Sequence, residues 1–141
     1  MTKTKAQQIM AATEARAADD VTAAIQDIAT EFEPYIIKQR RHFHKHPELS
    51  LAEERTTSDI ANQLDAMNIP YERPLKTGLV ATLRGTAPDA YREDGTPRRR
   101  ILLRADIDAL PVTEQTGEEF ASVNEGCMHA CGHDCHIAMM L

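Results

Sequence analysis

Eleven consecutive residues, Gly126 to His136, hold all three cysteines and three of the six histidines of this chain, and no other stretch restricts so strongly what the chain can become. The run reads Gly126-Cys127-Met128-His129-Ala130-Cys131-Gly132-His133-Asp134-Cys135-His136. Thiolate sulfur, imidazole nitrogen and carboxylate oxygen are the donors that bind zinc, cobalt and nickel, and the run supplies each type. The competing reading is a cysteine-rich buried helix start with incidental histidines. A closed structural zinc site takes two separated ligand pairs, and no second Cys/His pair follows before Leu141, so a self-contained finger is not expected. Cys131 and His133 flank Gly132, and in extended or turning backbone alternate side chains share a face, so both can reach one point. Asp134 is then positioned to cap a helix over residues 135–141.

With 141 residues and 42% hydrophobic content, the chain has material for one ordinary domain or for part of a larger one. A net charge of -6 without a basic block argues against a nucleic-acid partner, because phosphate binding needs clustered Lys and Arg. Arg98-Arg99-Arg100 reads as a solvated strand start. Residues 1–17 form a polar, alanine-rich extension, expected to be flexible, without the apolar core of a secretory signal, and no apolar run is long enough to span a bilayer. A cytoplasmic location is expected. Three cysteines packed into nine residues make a poor disulfide framework and fit a reducing compartment.

Along the chain, Asp20 can cap a helix whose Val21, Ile25, Ile28 and Phe32 share one apolar face. Pro34 should kink that helix or open a second one. His42, His44 and His46 gather with Lys38, Arg40 and Arg41 ahead of Pro47, where a helix C-terminus favours cations, and a structural role is expected for these histidines. Ser50-Leu51-Ala52-Glu53 has the capping-box pattern, opening a helix to about Asn68 that buries Ile60, Leu64 and Met67. Leu79 to Leu83 reads as a strand, Thr86 to Arg98 as an exposed hairpin loop, and Ile101 to Asp108 as a buried strand whose polar end emerges at a functional edge. Ligands in open α/β sheets gather at such strand ends, where Asp106 and Asp108 would lie, although either aspartate could equally cap the turn before Pro111. Pro111 to Glu125 should be an irregular acidic loop. No phosphate-binding glycine loop and no serine-hydrolase elbow occurs.

Three motifs in this order, His46-Pro47-Glu48-Leu49-Ser50, Leu103-Arg104-Ala105-Asp106-Ile107-Asp108-Ala109-Leu110-Pro111 and Met128 to His136, resemble the metal-dependent amidohydrolases of the aminoacylase and carboxypeptidase G peptidase family. The branch they resemble contains hippurate hydrolase, bacterial N-acyl-L-amino acid amidohydrolases and plant auxin-conjugate hydrolases, and the resemblance covers roughly residues 35–141. It implies an α/β fold, with residues 18–141 as the N-terminal part of a zinc-peptidase-like α/β/α catalytic domain, helices first and then strands of a mixed sheet. In the family that domain is interrupted by a smaller domain that mediates dimerisation, so a homodimeric parent is implied. Also implied are two divalent metal ions, among Zn, Mn, Co and Ni, with Cys131 as a shared thiolate ligand and His133 as a ligand of one ion. Asp106 matches the aspartate that orients a metal-bound histidine, with Arg104 two positions before it, and His136 matches a recurrent position of structural duty. The general-base glutamate, a metal-binding glutamate and two more histidine ligands lie beyond position 141 in the family. The implied reaction is hydrolysis of the amide of an N-acyl amino acid or peptide-like small molecule by a longer parent, this chain alone being an inactive N-terminal fragment. The alternative is a small non-enzymatic metal-binding or thiol-redox module built on Cys127, Cys131 and Cys135.

Overall fold

The structure, a computed structural model, describes the backbone from Lys5 and the side chains from Asp20 to Leu141. Of the flexible extension expected over residues 1–17, residues 1–4 lie outside the described residues and the backbone of residues 5–17 is helical. Helix α1 spans Lys5–Lys45, α2 Glu54–Ala66 and α3 His133–Met140; β1 (Tyr71–Glu72) pairs antiparallel with β2 (Val80–Ala81), in the register Tyr71 with Ala81 and Glu72 with Val80. The chain divides into two compact units, Met1–Tyr35 and Ile36–Leu141.

In the first unit, Asp20 lies inside a helix instead of capping one, and the helix runs through Pro34 without a break. Proline removes one helical N–H and its ring crowds the preceding turn, which commonly kinks or ends a helix; here helical backbone continues on both sides of it. Val21, Ile25, Ile28 and Phe32 share a face as expected, yet each is 51 to 61% exposed, and among the described residues nothing covers them.

The second unit is built round a small core of Phe43, Ile60, Leu64 and Ile137, with Ile69, Tyr71, Leu79, Ile107 and Leu141 packed against it. Helix α2 therefore buries the face its period foretold, with Met67 left at the edge, 39% exposed. Its cap differs from expectation. Ser50 and Glu53 form no capping box, and Glu53 makes no side-chain cap bond. Instead the Glu48 carboxylate accepts the amides of Arg55 (3.1 Å) and Thr56 (2.7 Å) and the Thr56 hydroxyl (2.8 Å). The carboxylate of the His-Pro-Glu motif thus satisfies the unpaired donors of the first turn and complements its positive dipole end.

The apolar run at 101–103 contradicts the expectation of a buried strand. Ile101, Leu102 and Leu103 are 86, 87 and 67% exposed and join no ladder among the described residues. An extended apolar segment is buried only where neighbouring strands flank it, and here none does. Immediately after it the chain enters the core region. Ala109 N donates to Glu48 O (2.8 Å), while Leu110 and Met128 exchange backbone bonds at 2.9 and 3.0 Å. These bonds carry the Asp106–Pro111 segment past the start of α3. The hairpin expected at 86–98 is present as an exposed turn, with Asp94 accepting from the Thr96 amide at 2.9 Å.

Candidate metal centre

Helix α3 begins at a glycine in the left-handed conformation, Gly132 at φ 90°, which turns the chain sharply between Cys131 and His133. A side chain would be strained there, and so glycine is the residue that fits. Asp134, expected as the cap, does not cap. Its carboxylate points back to α1, where Oδ2 accepts from Arg40 Nε at 3.1 Å and pairs with His44 Nδ1 at 2.8 Å. The other nitrogen of His44 faces Glu114 Oε1 at 3.1 Å, so this buried ring lies between two carboxylates. Burial alone would raise the pKa of Glu114. The amide of Ser122, the hydroxyl of Thr116 and the His44 ring outweigh it and hold that carboxyl below its ordinary range. Of the other two histidines at the end of α1, His42 pairs with Asp59 at 2.8 Å, and His46 has its pKa lowered, first by burial and then by Arg55. His42 and His44 act as ties between elements, the structural role expected of them, whereas His46 Nδ1 is buried without a hydrogen-bond partner and its ring meets that of His42 edge-on.

The orienting contact on His133 comes from Asp108, not from Asp106 as expected. His133 Nδ1 lies 2.9 Å from the Asp108 carbonyl and 3.0 Å from its carboxylate. Both partners can only accept, so Nδ1 carries the proton and Nε2 is left with its lone pair for a metal. Asp106 is held instead by Arg104, which donates from two nitrogens to Oδ1 at 3.0 and 2.8 Å. That guanidinium keeps the Asp106 carboxyl below the usual carboxylate range. Alternation along the extended run explains why both aspartates reach the same side.

Among the described residues, one group of donors converges closely. Asp106, His133 and His136 each offer a ligand atom, and these atoms lie within 4.8 Å of one another. His136 stands one turn after His133 on α3, and the two rings stack at 5.2 Å between centroids. Cys131 is not a member of this group. It is exposed and lines a cavity of about 450 Å³ together with Arg40, His44, Glu114, Phe120 and His129. His129 is 4% exposed, and neither of its ring nitrogens has a hydrogen-bond partner. Burial holds its pKa below the usual histidine value, against the opposing pull of Asp134. The sequence reading assigned no duty to His129 and only a structural one to His136. Their place in the Cys/His run was the one signal available. Cys127 is buried and its thiol is pushed up by that burial, which does not suit a reactive thiolate; all three cysteines are free.

Comparison with known proteins points the same way as this geometry. Residues 102–141 match the model of Peptidase family M20/M25/M40. An uncharacterized hydrolase of Staphylococcus epidermidis is 44% identical over 107 residues, 76% of this chain and 25% of the relative. The N-acyl-L-amino acid amidohydrolase of Geobacillus stearothermophilus is 42% identical over 118 residues, 83% of this chain and 30% of that protein. Among solved structures, the Bacillus subtilis YXEP protein, described as a dinuclear metal binding peptidase from the M20 family, superposes with a TM-score of 0.67 at 44% identity, covering 77% of this chain and 29% of that one. A putative aminohydrolase from methicillin-resistant Staphylococcus aureus gives a TM-score of 0.69 at 39% identity, covering 81% and 28%. The chain thus spans between a quarter and a third of the length of the curated relatives it matches. Motifs, backbone and relatives thus agree: the chain is similar to an α/β portion of the peptidases and amidohydrolases of the M20/M25/M40 family.

Proposed function

We propose that this chain supplies the Cys131 and His133 portion of a two-metal centre that hydrolyses the amide bond of N-acyl amino acids. The observation that carries the reading is the hold of Asp108 on His133 Nδ1, the carboxylate–histidine arrangement that fixes a ring for coordination through Nε2. The donor set fits divalent transition ions: an exposed thiol beside a cavity and an imidazole oriented by the Asp108 carboxylate. When bound, the two ions would polarise the amide carbonyl and lower the pKa of a water molecule from about 16 toward about 7.

The chain's own residues would hold and orient. Gly132 sets the turn that separates the thiol from the imidazole, and Asp108 fixes the tautomer of His133. The cavity beside Cys131 has the volume of a small-molecule pocket, and Arg40 is among the residues that line it. The Geobacillus amidohydrolase, by its name, acts on N-acyl-L-amino acids, and that substrate class is the one proposed here. The chain alone is proposed to be inactive as an amidohydrolase, because a two-metal centre takes about three protein ligands for each ion and Cys131 and His133 supply only two between them.

The test is a chimaera in which residues 36–141 replace the matching part of the Geobacillus enzyme. We expect hydrolysis of N-acetyl amino acids with added zinc, manganese or cobalt, abolished by Cys131→Ala or His133→Ala. Asp108→Asn should lower metal affinity about 10- to 100-fold, the usual cost of losing an orienting partner. A folded chimaera that hydrolyses these substrates equally well after both substitutions would sink the proposal.

A further inference from the structure

We infer that Asp106, His133 and His136 form a mononuclear divalent-metal site that this chain can fill without any other ligand. It shares His133 with the two-metal reading above and is otherwise independent of it, since neither Cys131 nor an outside residue takes part. The case begins with reach. Three donor atoms within 4.8 Å of one another can close on a single ion, because metal–nitrogen and metal–oxygen bonds of about 2.0–2.2 Å place two ligands of one ion roughly 3–3.5 Å apart. Small side-chain adjustments separate the observed spacing from that geometry.

Each donor is prepared in its own way. His133 is fixed by two acceptors on Nδ1 and presents Nε2. The His136 ring makes no hydrogen bond among the described residues and is held by stacking on His133, so no partner has to be displaced when it coordinates. Asp106 is engaged by Arg104 through Oδ1 alone, which leaves Oδ2 for an ion. All three residues are half-buried, open enough for an ion to enter and sheltered enough to hold one. Spacing explains the convergence. Positions 133 and 136 fall on one face of α3, three residues apart, while the Asp106–Pro111 segment is tied beside that face by its backbone bonds to Glu48 and Met128. Two imidazoles and one carboxylate form the donor set that zinc, cobalt, nickel, manganese and ferrous iron accept, with the remaining positions taken by water.

The experiment uses the 141-residue chain itself, titrated with cobalt(II) and zinc(II) chloride by calorimetry and by visible absorption. The expected result is one ion per chain, with cobalt d–d bands and no sulfur-to-cobalt charge-transfer band in the near ultraviolet. His136→Gln and Asp106→Asn, two shape-preserving changes at half-buried positions, should each weaken the ion by more than about tenfold, since the loss of even an orienting partner costs that much. A sulfur charge-transfer band would put the ion on a cysteine and overturn the inference while leaving the two-metal reading standing. Absence of uptake, or uptake unchanged in His136→Gln, would overturn it as well. Cobalt spectra of the chain left unaltered by His133→Ala would overturn it too, whereas chimaera activity that survives His133→Ala while the chain still takes up one ion through Asp106, His133 and His136 would count against the two-metal reading alone.

Discussion

A histidine facing carboxylates on both sides joins three segments that are far apart in sequence. His44 ties the end of α1 to Asp134 of α3 and to Glu114 in the intervening loop, and both of its acid partners are almost wholly buried, 1% and 4% exposed. Removing one member of such a group leaves the others desolvated without compensation. Glu114→Gln should therefore cost roughly 3 kcal/mol of stability at neutral pH, read from urea midpoints. The pH dependence follows from the lowered pKa of Glu114. A carboxylate whose folded pKa lies below its unfolded value, about 4.3, gives a stabilisation that is complete above that pH and lost as pH falls through the folded value. The gap between wild type and Glu114→Gln should hence narrow between pH 5 and pH 3 (roughly); a gap that stays constant would show that the charge on Glu114 is not what matters. Sequence could not disclose this tie, because partners separated by 70 and 90 residues carry no local pattern. It did bring Asp106 and Asp108 to one edge, as alternation requires. Which of them holds His133 depended on where the backbone passes α3, and that is fixed by bonds to Glu48 and Met128 that no short window contains.

At the scale of elements, the start and face of α2 were read with unequal success for one physical reason. Its period of apolar residues reports a property of the helix itself, and Ile60 and Leu64 are buried as that period requires. Its cap reports what lies nearby in space. The Ser50–Glu53 box was a sound local pattern, yet Leu51 takes a left-handed conformation at φ 68° and the loop it shapes lets Glu48 reach the helix start first. Asp134 repeats the lesson at α3, where a residue suited to capping is drawn away by Arg40 and His44. Because Glu48 satisfies two amides and a hydroxyl, Glu48→Ala should lower stability by about 1–2 kcal/mol, within the range for loss of a helix cap. Ser50→Ala should change it by less than about 0.5 kcal/mol, the usual limit for surface substitutions. Thermal unfolding of both variants followed by circular dichroism separates the two candidates, and the reverse ranking would restore the capping box.

Across the whole chain, the family, the helical face of α2 and the hairpin turn could be read from sequence, whereas the fate of Ile101-Leu102-Leu103 could not. The run has the composition of an interior strand, and in isolation composition cannot tell whether flanking strands exist. Here the three side chains stand 86, 87 and 67% exposed, in a chain that spans between a quarter and a third of its curated relatives. Such an unpaired extended segment offers free N–H and C=O groups beside apolar side chains, the arrangement that templates strand pairing between molecules. Self-association should therefore limit the 141-residue chain in solution, and it should do so through this segment. Ile101→Lys with Leu103→Lys places two charges on the run, a substitution by which natural edge strands resist pairing. Because neither side chain packs in the core, unfolding stability should shift by no more than about 0.5 kcal/mol, while the concentration at which light scattering rises should increase several-fold. If the doubly substituted chain scatters at the same concentration as wild type, association runs through another surface, and the exposed face of Val21, Ile25, Ile28 and Phe32 is the next to receive the same substitution.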